Sequence, residues 1–140
     1  MSYLLHIDVS PMGEGSYSKR VANSFVAAYK TAHGDHTVLL KDLNANPIPH
    51  LDGEAIFAGY VPAENRPESQ QKKHQLRLDL IQEIADSHAV LISTPMWNWN
   101  IPSVLKAWID MIVIPGISDP YGNKKFTGKS VTIVVASGEL

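Results

Sequence analysis

The sequence predicts an α/β fold in which helices cover both faces of a parallel β-sheet. Short apolar segments typical of strands alternate along the chain with longer segments whose apolar residues recur at helical spacing. The segments expected in the middle of the sheet are apolar without a regular polar alternation, a pattern typical of parallel strands buried on both faces. The 140 residues suffice for one domain, residues 1–140, with a real hydrophobic core.

Four strands are predicted from short runs rich in β-branched and apolar residues. They cover residues 3–9, 36–41, 89–93 and 130–136. Loops rich in glycine, proline and asparagine separate them from the helices. The longest loop covers residues 42–66, and we expect one helical turn within it at 54–58.

Three longer helices are predicted from apolar stripes. The first begins at Ser16 and ends before Gly34, and the second begins at Pro67. The third covers residues 104–112, with Pro102 near its first turn. The residues expected to face inward are Val21, Ala22, Phe25, Val26 and Tyr29 in the first helix, Leu76, Leu80, Ile81 and Ile84 in the second, and Leu105, Trp108, Ile109 and Ile112 in the third.

Composition excludes several classes of function. The formal net charge is −2 and no dense cluster of Lys and Arg occurs, so we expect no nucleic-acid partner. The chain has no cysteine, which excludes disulfides, thiolate metal sites and cysteine nucleophiles and agrees with a cytoplasmic location. No apolar run is long enough to cross a bilayer, and the first residues lack the basic start of a signal peptide, so no membrane partner is expected.

The loop after the third strand is the most informative segment. Residues 94–103 contain two tryptophans and two asparagines between prolines. Ligands of open parallel sheets bind beyond the carboxyl ends of the strands. The loop therefore offers a flat hydrogen-bonding surface for a planar heteroaromatic ring. In the alternative interpretation, Trp97 and Trp99 only pack in the core or at a subunit interface.

The loop after the first strand holds three serines close to the start of a helix. Unpaired backbone amides at a helix start bind phosphate, and the hydroxyls of Ser16 and Ser18 can add donors. Simple capping of the helix is the alternative. The glycine pattern of dinucleotide folds and the phosphate-binding loop with its lysine are both absent.

The two loops become neighbours if the strand order is 2-1-3-4, because the first and third strands then lie side by side at the switch point of the sheet. One small molecule with a phosphate at one end and an aromatic ring at the other would bridge them. The two loops together predict such a ligand more strongly than either loop does alone.

At this point the chain resembles the FMN-dependent NAD(P)H azoreductases, which belong with the flavodoxin-like quinone reductases. The residues that carry the resemblance are Ser10, Ser16-Tyr17-Ser18, Asp42-Leu43, Asn46-Pro47-Ile48-Pro49, Pro95-Met96-Trp97-Asn98-Trp99-Asn100 and Gly128-Lys129. The family's ring motif is Pro-Met-Tyr-Asn-Phe, so aromatic residues replace aromatic residues at Trp97 and Trp99.

The resemblance implies a flavodoxin-like three-layer sandwich and FMN as cofactor. It implies that Ser10, Ser16, Tyr17 and Ser18 hold the phosphate. It places Met96, Trp97, Asn98 and Trp99 along the isoalloxazine, and Ser137 and Gly138 at its pyrimidine side. The implied activity is ping-pong transfer of hydride from NAD(P)H through FMN to quinones or azo compounds, in a homodimer to whose interface Trp108 and Ile112 could contribute.

Two departures from the family pattern leave alternatives open. The family usually has Ser-Arg-Gly-Gly after the fourth strand, whereas this chain has Ser137-Gly138-Glu139 there, without the arginine. The family's fifth strand and last helix have no counterpart, which predicts an exposed edge at the fourth strand and an uncovered apolar face. A remnant or fragment with weak or no flavin binding is one alternative, and an electron-carrying flavodoxin is another.

The sequence predicts no catalytic side chain and no metal site. A backbone amide near Asn98 or Trp99 is expected to contact the flavin. The spacing of His33 and His36 is compatible with a metal, but a polar turn is the favoured interpretation. His6 and His88 are interpreted as packing or surface residues. Asp8 is unusual in a buried strand and is expected to be paired at the end of the sheet.

Overall fold

A computed structural model describes residues 2–119, 121 and 125–138. Within them, four strands form one sheet with the order β2-β1-β3-β4, and every neighbouring pair is parallel. The strands are β1 (Tyr3–Asp8), β2 (Thr37–Asp42), β3 (Ala89–Pro95) and β4 (Ser130–Ala136). The predicted fold class and strand order are confirmed.

In the described part of the chain, four α-helices connect the strands. They are α1 (Tyr17–Ala32), α2 (Gly53–Ala58), α3 (Glu68–Asp86) and α4 (Ser103–Ile112). The helical turn expected at 54–58 is α2, and its first turn is capped by Asp52, whose carboxylate accepts a hydrogen bond of 2.8 Å from the amide of Ala55. Within the described part of the chain, no helix is both long and apolar enough to span a membrane.

The third strand is two residues longer than predicted. Thr94 and Pro95 look like a loop in the sequence, but both pair with β4, and the amide of Met96 donates to the carbonyl of Ala136 at 2.8 Å. Proline is tolerated because it stands at the end of the strand, where the loss of its N–H removes little of the ladder.

Alternate residues of the strands pack on opposite sides of the sheet, which gives the protein two core clusters. Leu4 and Leu91 face α1, where they pack with Ala22 and Tyr29. The larger cluster lies under α3 and α4 and consists of Leu5, Ile7, Val9, Leu43, Leu80, Ile84, Val90, Leu105, Trp108 and Met111. The predicted inward positions of Leu105 and Trp108 are confirmed, while Ile109 and Ile112 are only half-buried.

The apolar outer face of β4 is uncovered. Val131, Ile133 and Val135 point to the same side of the sheet, and each is more than half exposed. Among the described strands, β4 stands at one edge of the sheet.

A buried arginine fixes α4 to the rest of the molecule. Arg77 on α3 is 3% exposed. Its guanidinium donates to the carbonyls of Met111 and Val113 at 3.0 and 2.8 Å, and to those of Ala55 and Asp110 at longer distances. These bonds satisfy carbonyl groups at the end of α4 that have no partner within the helix. They also hold the helix that follows the tryptophan-rich loop.

Candidate functional site

The first helix begins directly above the end of β1. Ser16 is the N-cap of α1, and its Oγ accepts a hydrogen bond from the amide of Lys19 at 3.4 Å. The carbonyl of Ser16 accepts from the amide of Arg20. Among the described residues, none accepts a hydrogen bond from the amides of Tyr17 or Ser18. Two donors at the positive end of the helix dipole are therefore available to an anion.

Three serine hydroxyls form a chain beside these amides. Ser18 Oγ lies 2.9 Å from Ser10 Oγ and 3.0 Å from Ser16 Oγ. All three residues are buried. Three hydroxyls carry three protons and the two contacts use two of them, so one proton remains for a further acceptor. Ser16 therefore caps the helix, as the alternative interpretation expects, and the same cluster keeps the capacity to bind an oxyanion.

The fourth residue predicted in this loop has a different environment. Tyr17 is largely exposed, and the guanidinium of Arg20 lies 4.6 Å from the centre of its ring. This distance is that of a cation–π contact. The structure therefore places Tyr17 outside the serine cluster, at its outer rim.

A buried polar network supports the serine cluster from below. Asp8, 1% exposed, accepts hydrogen bonds from the amide of Ser10 at 3.1 Å and from Ser93 Oγ at 2.9 Å. Its second oxygen forms an ion pair with Lys19 Nζ at 3.4 Å. His6 Nε2 lies 2.8 Å from Ser93 Oγ. The expectation that Asp8 is paired at the end of the sheet is confirmed.

The network sets the charge state of its members. Burial lowers the pKa of His6 and favours the neutral ring over the opposing effect of Asp8. For Asp8, burial alone would raise the pKa, but hydrogen bonds from Ser10 and Ser93 and the ammonium of Lys19 outweigh it and lower the pKa. Asp8 is thus an ionised, structural carboxylate rather than a proton donor.

The tryptophan-rich loop contains a tight turn with an unusual backbone. The amide of Trp97 donates to the carbonyl of Asn100 at 2.8 Å, and the reverse bond is 2.9 Å. Asn98 and Trp99 between them have φ values of 50° and 64°. Positive φ at both central residues defines a type I′ turn. A bulky residue in this conformation is rare, and such strain concentrates at functional sites.

The turn exposes the groups that a planar ligand would need. Trp99 is 93% exposed, and Met96 and Trp97 are less than half exposed. Of the four turn amides, those of Trp97 and Asn100 are used within the turn. No acceptor for the amides of Asn98 and Trp99 occurs in the described part of the chain. The exposure of the two rings contradicts the interpretation that they pack in the core, whereas the interpretation that they lie at a subunit interface stays open.

The sheet brings the predicted segments together at the carboxyl ends of its strands. β1 and β3 are direct neighbours, with Asp8 opposite Ser93, and β3 neighbours β4, with Pro95 opposite Ala136. The serine cluster, the turn and Ser137–Gly138 thus follow three adjacent strands. Ser137 and Gly138 are both exposed, whereas Glu139 lies outside the described residues.

A cleft of about 480 Å³ lies beside the turn. Trp97 and Asn98 form one wall, Lys106 and Asp110 of α4 form another, and His50 from the long loop also lines it. The serine cluster does not line this cleft. The cleft is therefore a space next to the turn and separate from the anion site.

Sequence reasoning missed two members of the site. Ser93 ends an apolar strand and Lys19 lies on a helix, and neither carries a motif. The signal that could have found them is Asp8, because a buried carboxylate requires donors or a cation nearby.

Comparison with known proteins agrees with this geometry. The model of the family described as having a flavodoxin-like fold matches residues 2–140. The chain belongs to this family. The flavodoxin-like chain is 36% identical over 140 residues to an FMN-dependent NADH:quinone oxidoreductase of Frankia alni, and 40% identical over 139 residues to a protein of the same name from Streptomyces avermitilis.

The two alignments cover 99% of the flavodoxin-like chain and 66% and 64% of the relatives, so the chain spans just under two thirds of their length. Among solved structures, an azoreductase from Bacillus anthracis superimposes with a TM-score of 0.85 at 23% identity, over 100% of this chain and 71% of that one. At this identity the superposition shows the shared fold.

Proposed function

We propose that the flavodoxin-like chain binds FMN and acts as an NAD(P)H oxidoreductase on quinones or azo compounds. The observation that carries the proposal is the adjacency of two kinds of donor site on neighbouring strands. The end of β1 offers an anion site built from buried serine hydroxyls and the start of α1. The loop after β3 offers exposed aromatic rings and two amides, those of Asn98 and Trp99, for which the described residues provide no acceptor.

The donor set fits FMN. A phosphate monoester suits neutral hydroxyls at a helix start, so Ser10, Ser16 and Ser18 would hold it together with the amides of Tyr17 and Ser18. The planar ring system suits Met96, Trp97 and Trp99, with Asn98 and the free amides of the turn at its polar edge. Ser137 and Gly138 would border the ring from β4. When bound, FMN supplies the exchange of electrons between a nicotinamide and an oxidised acceptor.

The protein's own contribution is orientation. The type I′ turn holds the amides of Asn98 and Trp99 in a fixed direction, which avoids the entropic cost of ordering a flexible loop on binding. The pair of Asp8 and Ser93 connects this turn with the serine cluster. The lowered pKa of Asp8 keeps its carboxylate ionised, so Asp8 is not assigned as a proton donor. No other side chain of the site is assigned a proton-transfer role.

A homodimer is part of the proposal. Its support is the exposure of large apolar residues, including Trp99 of the turn, Phe57 on α2 and Tyr60 just after α2. Trp108, suggested by the sequence as an interface residue, is 4% exposed and packs in the chain's own core. It is therefore not part of this support.

The direct test is spectroscopic. The purified chain is mixed with FMN, passed through a gel-filtration column and treated with NADH without oxygen, and then with a quinone. The proposal expects flavin to elute with the protein, its visible band to bleach with NADH and the band to return with the quinone. Elution of protein without flavin would contradict cofactor binding, and bound flavin that NADH does not bleach would contradict the oxidoreductase activity.

A further inference from the structure

Three histidines lie close together at one end of the sheet, and the candidate cofactor site lies at the other end. His33 ends α1, His36 directly precedes β2, and His88 directly precedes β3. β2 and β3 flank β1, and at their starts the amides of Thr37 and His88 donate to carbonyls of Ser2 and Tyr3. The histidines therefore lie at the amino ends of the strands, whereas the serine cluster and the turn lie at the carboxyl ends.

The three imidazoles are close enough to share a ligand. One ring nitrogen from each histidine lies within 4.8 Å of the others. The ring centres of His33 and His36 are 4.8 Å apart, and those of His36 and His88 are 4.7 Å apart. His33 and His36 are half-buried, and His88 is exposed.

A tyrosine orients two of the rings. The hydroxyl of Tyr29, which is buried on α1, lies 2.7 Å from Nδ1 of His36 and 2.9 Å from Nδ1 of His88. Both contacts use Nδ1, so Nε2 of each ring remains for another partner. Metal-binding histidines commonly donate their second ring N–H to a fixed oxygen, and this contact selects the tautomer that binds the metal.

We propose that His33, His36 and His88 form a binding site for a divalent transition metal ion, with Zn²⁺ as the reference ion. Imidazole nitrogen is a preferred ligand of zinc, and three protein ligands leave one position open to water. Tyr29 is the positioning residue, because its hydroxyl oxygen can accept from Nδ1–H of both His36 and His88 when Nε2 of each binds the metal.

The geometry requires a modest closure of the cluster. Zinc–nitrogen bonds of about 2.0–2.1 Å in a tetrahedral site bring the nitrogens to about 3.4 Å from one another. One ring nitrogen from each histidine now lies within 4.8 Å of the others, so the three rings have to move closer together on binding. His88 is exposed, so no packed neighbour among the described residues blocks a small shift of its ring about the contact with Tyr29.

Two charged groups border the site with opposite effects. A carboxylate oxygen of Asp35 lies 3.9 Å from Nε2 of His36, and the side chain of Asp35 is 92% exposed. Asp35 is therefore able to turn towards a bound cation and replace water at the fourth position. Lys129 is the nearby cation, and its ammonium group donates to the carbonyls of Ala85 and Ser87. These bonds direct the positive charge of Lys129 towards the protein backbone.

A polar turn, the interpretation favoured by the sequence, accounts for only two of the three histidines. His88 is separated from His36 by the whole connection through α2 and α3, and only the strand order brings them together. A local turn requires neither a third imidazole nor a tyrosine that contacts two imidazoles.

The test is calorimetric titration of the full chain, without an affinity tag, with zinc chloride at neutral pH. We expect one ion to bind per chain, and we expect the affinity to fall at least about tenfold in His33→Gln and in His88→Gln. Tyr29→Phe keeps every metal ligand and should weaken binding by about tenfold, as loss of an orienting contact does. His50→Gln is the matched control, because His50 is an exposed histidine elsewhere in the molecule and its loss should leave zinc binding unchanged.

A second measurement keeps the test independent of the folding of the variants. The wild-type histidine rings are followed by nitrogen-15 NMR during the zinc titration. Zinc should shift the signals of His33, His36 and His88 and leave the signal of His6 in place. No saturable binding, equal binding by wild type and the His33→Gln and His88→Gln variants, or shifts confined to other histidines would each overturn the proposal. Zinc should not affect FMN binding, because the candidate cofactor site lies at the other end of the strands.

Discussion

Ser93 donates a hydrogen bond of 2.9 Å from its Oγ to a carboxylate oxygen of Asp8. This contact joins the ends of β1 and β3 beneath the two loops of the candidate cofactor site. The same carboxylate accepts from the amide of Ser10, and the same hydroxyl contacts His6. One buried pair therefore couples the position of the serine cluster to that of the tryptophan-rich turn.

Replacing Ser93 with alanine should disturb both loops. The change leaves Asp8 and His6 each short of a buried partner, and we expect a loss of about 1–3 kcal/mol in the free energy of unfolding. FMN affinity should fall as well, because the loops lose their connection. Urea unfolding and flavin fluorescence titration measure the two effects. Ser24→Ala on the exposed face of α1 is the control, and a Ser93→Ala protein as stable as this control would contradict the role of the pair.

The buried network should make the protein sensitive to acid. The pKa of His6 is lowered in the folded state by burial, so the unfolded chain takes up the proton first and stability falls as the pH drops below about 6.5. The pKa of Asp8 is also lowered on folding, so its contribution is present above its ordinary value near 3.8 and is lost as the pH falls through the lower folded value.

Melting temperatures between pH 7 and pH 3 test this dependence. We expect a first decrease below about pH 6.5 and a second below about pH 4. His6→Gln should reduce the first decrease, whereas His50→Gln should not change it. An unchanged pH profile in His6→Gln would show that folding does not lower the pKa of His6.

The strained turn permits a separation of folding from binding. Glycine adopts the φ of 64° found at Trp99 without steric cost, so Trp99→Gly should be as stable as the wild type or up to about 1 kcal/mol more stable. FMN affinity should nevertheless decrease, because an exposed aromatic surface is removed. Trp99→Val is the contrasting variant, since a β-branched residue tolerates this conformation poorly. Trp99→Gly with undiminished FMN affinity would remove Trp99 from the site.

Arg77 is expected to be a major contributor to stability. Arg77→Met leaves several carbonyls at the end of α4 without a donor, and we expect a loss of about 2–4 kcal/mol in the free energy of unfolding. Lys72→Met, on the exposed side of the same helix, should have little effect. Denaturant unfolding of both variants provides the comparison, and similar stabilities would mean that solvent replaces the guanidinium.

Most elements are predictable because they depend on local patterns. The apolar runs identify β1 and β3, and the helical stripes identify α1 and α3. The order of the strands is expected from the resemblance to the flavodoxin-like family. The end of β3 is not predictable in this way, because Thr94 and Pro95 have loop character and are held in the ladder by β4. Pairing with a distant strand outweighs local preference at this point.

The sequence predicts which residues form the candidate site, but it does not predict the backbone conformation and the buried contacts that hold them. Serines at a helix start and a motif with two tryptophans are visible in the sequence, whereas the φ of 64° at Trp99 contradicts the usual preference of that residue. The contacts of Asp8 with Ser93 and of Tyr29 with His88 join residues that are far apart in the chain. Such contacts follow from the strand order and leave no local pattern.

The central claim is that the serine cluster and the turn bind the two ends of one FMN molecule. Parallel fluorescence titrations with FMN and riboflavin, which differ only in the phosphate, test it most directly. The wild type should bind FMN at least tenfold more tightly, a difference of about 1.4 kcal/mol, and this preference should disappear in the Ser16→Ala, Ser18→Ala double variant while riboflavin affinity is retained. Equal affinities for FMN and riboflavin in the wild type, or a preference that survives the double substitution, would contradict the claim.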